Sequence, residues 1–246
     1  MRYSLDLLHF FPDQLNLYGD GGNITIAKKR CEWRGIQFRL HQVERASDAD
    51  LSNADLFFIG GASDREQALV TDELQKIRSD FKAAIEDGVG GLTVCGGYQF
   101  LGSYYQLYNG EKLEGLNLLD FHTVSRVPDA TNVKKRLIGD LHVVNPLFGR
   151  MIGYENHGGE TFHDYDVLGD VVKGYGNNKR DKKEGLHYKN LIGTYMHGPL
   201  FSKNPRICDH LILKAMERKY GVTSLEPLDD TFSKEASKRL WSRCIS

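Results

Sequence analysis

The stretch Gly91-Leu92-Thr93-Val94-Cys95-Gly96-Gly97-Tyr98-Gln99-Phe100-Leu101 runs a short apolar strand into a cysteine, two glycines and a helical apolar pattern. A strand that turns at once into a helix needs small residues at the turn, because the backbone there is strained and a ligand must come close. The sequence on either side extends the pattern. Residues 4–11, 37–43, 55–59 and 92–94 read as strands. Between them, 23–34 sets Ile24, Ala27 and Cys31 on one helical face before Gly35, and 66–87 aligns Leu74, Ile77, Phe81 and Ile85 before Gly88. Strands alternating with helices predict an α/β, three-layer architecture: a mostly parallel sheet flanked by helices on both faces.

The second half is richer in short strands, at 140–144, 151–154, 167–173 and 191–196, punctuated by turn residues. A late helix over 206–219 aligns Ile207, Leu211 and Ala215 and stops at Gly221. Residues 222–230 read as a connector to a final helix over 232–243, where Phe232, Ala236 and Leu240 recur at helical spacing beside Trp241. Such a stripe suits docking to a partner or packing on its own domain, and periodicity weighs the two equally. The expected organisation is one domain over 1–221 and a C-terminal appendage over 222–246.

The 246 residues, 40% hydrophobic and 26% charged, suffice for a sizeable core. A formal net charge of -1 excludes a field that gathers nucleic acid. No apolar run approaches the ~20 residues of a membrane span, and Asp6 interrupts the apolar N-terminus, so no signal peptide is expected. The four cysteines are widely spaced and make no CxxC pair, which suits a reducing, cytoplasmic setting. No spacing of His, Cys or carboxylates fits a metal site, and no phosphate-loop or dinucleotide motif occurs.

Cys95 is the candidate nucleophile. The plain alternative is a small buried hydrophobe, the reading that fits Cys31 and Cys208. At Cys95 the strand end, the two glycines and the following helix N-terminus favour a thiolate instead, with the Gly96 N–H facing a developing oxyanion. A thiol nucleophile needs an imidazole in reach. Of nine histidines, His197 closes a strand before Gly198-Pro199, at the sheet edge where active sites of open α/β folds gather. His157, in Glu155-Asn156-His157-Gly158-Gly159, has a similar setting and is the rival.

Cys95-x-Gly97-x-Gln99 together with Thr194-Tyr195-Met196-His197-Gly198 resembles the class I glutamine amidotransferases, in the subgroup similar to the cobyric acid synthase glutaminase domain. Further segments, Leu15-Asn16-Leu17-Tyr18-Gly19-Asp20-Gly21-Gly22-Asn23, Ser63-Asp64-Arg65-Glu66-Gln67 and Gly174-Tyr175-Gly176-Asn177-Asn178, are similar to the GatD-like glutaminase subunits of lipid II isoglutaminyl synthase. The resemblance spans about residues 1–220.

It implies a flavodoxin-like fold and hydrolysis of L-glutamine: Cys95 attacks the side-chain amide, His197 moves the protons, and Gly96 with Gly60-Gly61 forms the oxyanion hole, taken here as Gly61 and Gly96. Arg136 matches a position tied to substrate binding, where a guanidinium fork suits the α-carboxylate, and Gln99 shapes the pocket or simply packs. It further implies a heterodimer with a Mur-ligase-like synthetase subunit, which holds ATP and Mg and acts on lipid II; this chain itself is expected to carry no cofactor or metal. One departure from the wider superfamily stands out. Its usual His-x-Glu is here His197-Gly198-Pro199, so the site is either a dyad or completed by another carboxylate, Glu155 or one from the partner.

Overall fold

The computed structural model describes residues 2–128 and 133–245. Its first half runs β1 (Tyr3–Phe10), α1 (Gly22–Glu32), β2 (Ile36–Val43), β3 (Leu56–Ile59), α2 (Asp64–Lys76), α3 (Arg78–Glu86), β4 (Gly90–Val94) and α4 (Gly96–Phe100). The second half adds β5 (Tyr104–Gln106), β6 (Lys112–Glu114), β7 (His122–Ser125), β8 (Leu137–Asn145), β9 (Gly149–His157), β10 (Gly159–Phe162), β11 (Gly169–Lys173), β12 (Lys183–Glu184), β13 (Leu186–Tyr188) and β14 (Leu191–Thr194). Helices α5 (Leu200–Lys203), α6 (Pro205–Tyr220) and α7 (Thr231–Ile245) close the chain.

The central sheet has the order β13-β14-β4-β3-β1-β2. All its pairings are parallel except β13 with β14. Every residue of β3, β4 and β14 is buried, as expected of strands covered on both faces. Phe81 of α3 packs on Phe10 and Phe57 at 4.8 and 5.3 Å between ring centres. Leu7 and Leu56 point to the opposite face, where Ile24 and Ala27 of α1 and Leu211 and Ile212 of α6 cover them. The expected three-layer α/β architecture is therefore present. Two smaller four-stranded sheets, β10-β7-β5-β6 and β12-β11-β8-β9, account for the strand-rich second half. No helix among the described residues is long and apolar enough to cross a membrane.

The single helix expected over 66–87 is two. The chain leaves helical geometry at Ile77 (φ -108°, ψ 14°), a β-branched residue with modest helix propensity. Leu74 and Phe81, on either side, both remain fully buried. The apolar period carries no mark of the break because both halves face the same core.

Residues 222–230 carry no regular structure but are pinned to α1. Arg34 donates through Nε to the Glu226 carbonyl at 2.7 Å. Arg30, buried, forks onto Asp209 of α6 at 2.6 Å and onto Asp230 at 2.7 Å. Removing one member of a buried ion network leaves the others uncompensated, which costs more than the network itself contributes. Arg30→Ala is expected to destabilise the fold by about 3 kcal/mol in urea unfolding, through Asp209 and Asp230 left facing each other. An unchanged unfolding midpoint would show that Arg34 and solvent suffice for both carboxylates. On α7 the apolar stripe divides. Trp241 is buried and stacks on His142 at 4.8 Å, whereas Phe232 is 86% exposed.

Candidate active site

The site forms at the carboxyl ends of the central strands. Cys95 follows β4, its N–H held by the Thr194 carbonyl of β14 at 2.8 Å. Its backbone sits at φ 50°, ψ -107°, a strained conformation for a residue with a Cβ. The strain is tolerated because Gly96 and Gly97 let the turn press against the end of β3. A Cβ on Gly97 would lie 2.5 Å from the Ile59 carbonyl oxygen.

His197 follows β14 and is fixed by reciprocal backbone bonds with Tyr154 of β9, 2.8 and 3.3 Å long. Buried Glu184 secures the approach to it, accepting from the Thr194 hydroxyl at 2.6 Å and the Tyr195 N–H at 2.8 Å. The imidazole is fully buried. Its Nδ1 lies 3.0 Å from both carboxylate oxygens of Asp20, itself fully buried in the turn after β1. The Tyr18 ring meets the imidazole edge-on at 4.9 Å. Burial pulls the His197 pKa down, but the bond to Asp20 and the charges of Asp20 and nearby Cys95 outweigh it and push it up to about 10.

The carboxylate that the sequence left open is thus opposite His197 in this chain, and it is neither Glu155 nor a partner's. Glu155 is engaged elsewhere, accepting the N–H groups of Tyr175 and Gly176 at 2.7 and 3.0 Å. The rival His157 is built into a stack, its ring 3.7 Å from that of Tyr195 and its Nδ1 2.7 Å from the Gly159 carbonyl. In sequence Asp20 stands among Gly19, Gly21 and Gly22 just before α1, a setting that by itself suits a tight turn as well as a site residue. What no sequence spacing shows is that residue 20 meets residue 197 across the β3–β4–β14 edge.

Cys95 opens on a cavity of about 720 Å³ also lined by Tyr18, Gln99, Arg136, Asn156 and His157. Arg136, half-buried on its wall, donates through Nε to the Asn156 side chain at 2.7 Å and through Nη2 to its carbonyl at 2.9 Å. Asn156 in turn donates to the Tyr18 hydroxyl at 2.6 Å, so these three side chains form one rim. The Gln99 amide is already paired: its oxygen accepts from Gln67 at 3.0 Å and its nitrogen donates to the Tyr195 hydroxyl at 3.2 Å. Gln99 therefore shapes the cavity floor with both ends held.

The expectation for Gly61 meets a competing bond. Its N–H donates to Asp20 Oδ2 at 3.0 Å and so points at the carboxylate that faces His197. The backbone of neighbouring Ala62 lies close to Gly96: a Cβ built on Gly96 would be 3.0 Å from the Ala62 nitrogen and 3.1 Å from its carbonyl oxygen. Ala62 also lines the Cys95 cavity.

The model of the CobB/CobQ-like glutamine amidotransferase domain matches residues 6–205. The lipid II isoglutaminyl synthase (glutamine-hydrolyzing) subunit GatD of Staphylococcus aureus is 52% identical over 217 residues, 88% of this chain and 86% of that protein. Its namesake from Streptococcus pneumoniae is 36% identical over 240 residues, 96% of this chain and 90% of that one. The cobyric acid synthase of Moorella thermoacetica is 28% identical over 216 residues, 84% of this chain but 40% of that longer protein. A buried His197–Asp20 pair behind a strained cysteine, on an α/β sheet matched along most of its length, leaves one assignment: the chain belongs to the CobB/CobQ-like glutamine amidotransferase family.

Proposed function

We propose that this chain is the glutaminase subunit of a lipid II isoglutaminyl synthase, hydrolysing L-glutamine to glutamate and ammonia. The observation that carries the chemistry is the buried His197–Asp20 pair behind Cys95, which opens on the cavity. Cys95 Sγ attacks the side-chain carboxamide carbon, its proton passing to His197 Nε2. The oxyanion takes the N–H groups of Gly96 and Ala62, with Gly61 left to fix Asp20. The C–N bond breaks as His197 returns the proton, ammonia leaves, and a thioester remains. Water then adds to the thioester with His197 as base, and glutamate departs as the thiol reforms. Asp20 holds the imidazole tautomer throughout, as an orienting carboxylate does in a triad.

The ammonia is taken up by a Mur-ligase-like synthetase subunit that holds ATP and Mg and amidates the α-carboxylate of D-glutamate in the lipid II stem peptide. Support for this acceptor comes from the similarity to the two GatD subunits over nearly the whole chain. Two experiments test the reading. A diazoketone analogue of glutamine is expected to add one equivalent of mass to the chain, mapped by peptide analysis to Cys95. Nitrogen-15 from the glutamine amide is expected in lipid II only when the synthetase subunit is present. Labelling elsewhere, or transfer without that subunit, would overturn the corresponding half.

Arg136 is assigned to the substrate α-carboxylate, its guanidinium being already oriented by Asn156. Arg136→Ala is expected to raise KM for glutamine about 10–100-fold while kcat changes far less, the mark of an interaction present equally in ground and transition states. Steady-state ammonia release checks it, and an unchanged KM would return Arg136 to a purely structural role.

A further inference from the structure

We propose that the cavity between α7 and the α5–α6 turn binds a multiply charged, phosphate-bearing anion of diphosphate size. This inference is independent of the glutaminase reading. The cavity, about 280 Å³, lies well away from Cys95, against β9, α5, α6 and α7. Five cationic side chains line it: Arg150, Lys203, Arg206, Lys234 and Lys238. No carboxylate is among its lining residues, and none of the five makes an ion pair among the described residues.

Several cations elsewhere in the chain are paired with carboxylates. Lys29 pairs with Glu32 and Lys214 with Glu217 along their helices, and Lys189 with Glu86 and Arg218 with Asp87 across the fold. Lys234 and Lys238 stand at i and i+4 on α7, where like charges disfavour the helix and a Glu at either place would favour it. Both instead face Lys203 and Arg206. Lys203 is half-buried; burial holds its ammonium below the ordinary lysine range, with Asp140 only a neighbouring charge that acts the other way. Four of the five cations are exposed and Lys203 is half-buried, so an anion seated among them would offset their mutual repulsion.

The backbone adds to the field. Helix α6 is 16 residues long and starts at this cavity, with Pro205 in its first turn and no acidic residue there. Its free N–H groups and positive dipole end favour a bound anion. Phe148, Ile152 and Trp241 give the cavity an apolar wall, and Arg150 lies over the Trp241 ring at 5.2 Å. Arg206 donates through Nη2 to the Leu147 carbonyl at 2.7 Å. Charge, volume and helix terminus together suit a diphosphate, as the headgroup of a lipid or as a free anion.

Isothermal titration of the full-length chain with inorganic pyrophosphate tests the free form, and co-sedimentation with phosphatidylcholine vesicles doped with phosphatidic acid tests the lipid form. Saturable binding of either probe is expected, weakened about tenfold or more in Lys234→Gln/Lys238→Gln and restored in Lys234→Arg/Lys238→Arg, with glutamine hydrolysis unchanged. Both lysines are exposed, so the fold survives their replacement, and circular dichroism verifies it. Pyrophosphate binding alone assigns a soluble anion; vesicle binding alone assigns a phosphate headgroup. Binding of neither probe, or binding that the double glutamine variant retains in full, overturns the proposal.

Discussion

Cys95→Ser is expected to lower ammonia release from glutamine by ~10⁴-fold or more while leaving the far-UV spectrum and unfolding midpoint unchanged. The serine hydroxyl fits the volume, so no cavity and no clash arise at the end of β4. What is lost is a polarisable thiol sulfur beside the imidazole that Asp20 orients, a far better nucleophile than a hydroxyl. A serine at this position has no equivalent low-energy anion, and the oxyanion donors alone supply only residual catalysis. Substantial turnover by the folded serine variant would exclude Cys95 as the nucleophile and reopen the cavity to a water-attack mechanism.

Asp20→Asn is expected to reduce kcat by about 10²–10⁴-fold with KM for glutamine little changed, because the carboxylate faces His197 and not the substrate cavity. The amide keeps the shape but not the charge, and its NH₂ cannot accept the Nδ1 proton. The substitution also has a signature in stability. His197 is raised in the folded state, so the pair stabilises the fold fully below the unfolded histidine pKa near 6.5 and loses that contribution as pH rises through about 10. The thermal deficit of Asp20→Asn against the parent is therefore expected to be largest below pH ~7 and to shrink toward pH 10. Two measurements, a melting series over pH and steady-state kinetics, check the two halves. Normal kcat would restore the dyad reading. A deficit that is constant with pH would show that Asp20 acts on stability through its bond to Gly61 alone.

The strand-turn-helix step at Cys95 was legible because the constraint is local: a backbone at positive φ with a helix immediately after it needs Gly96 and Gly97 in sequence. The parallel sheet was legible for a similar reason, since strands buried on both faces read as unbroken apolar runs. His197 could be preferred over His157 but not separated from it on residues alone, because both end strands beside glycines. Their difference lies in what surrounds them: Asp20 lies 3.0 Å from the His197 ring, whereas His157 stacks on the Tyr195 ring with the nearest Glu155 oxygen at 3.5 Å. Contacts of that kind depend on which strands neighbour one another. The β1–β3–β4–β14 order brings the turn after β1 close to the end of β14, and nothing in the spacing of residues 20 and 197 encodes it. Gly61 illustrates the finer limit. The segment is legible, but that the Gly61 N–H turns to the Asp20 carboxylate is a matter of one peptide's orientation.

The distance along the chain between Asp20 and His197, 177 residues, also orders events during synthesis. A nascent chain exposes β1, Asp20 and Cys95 early, yet β14 enters the sheet between β13 and β4 only after most of the polypeptide has left the ribosome. Until then the strained cysteine has neither its imidazole nor the Thr194 carbonyl that holds its amide. No truncated product ending before β14 can release ammonia, so glutamine is protected from hydrolysis by incomplete chains, and recovery of activity in refolding reports on insertion of the last central strand.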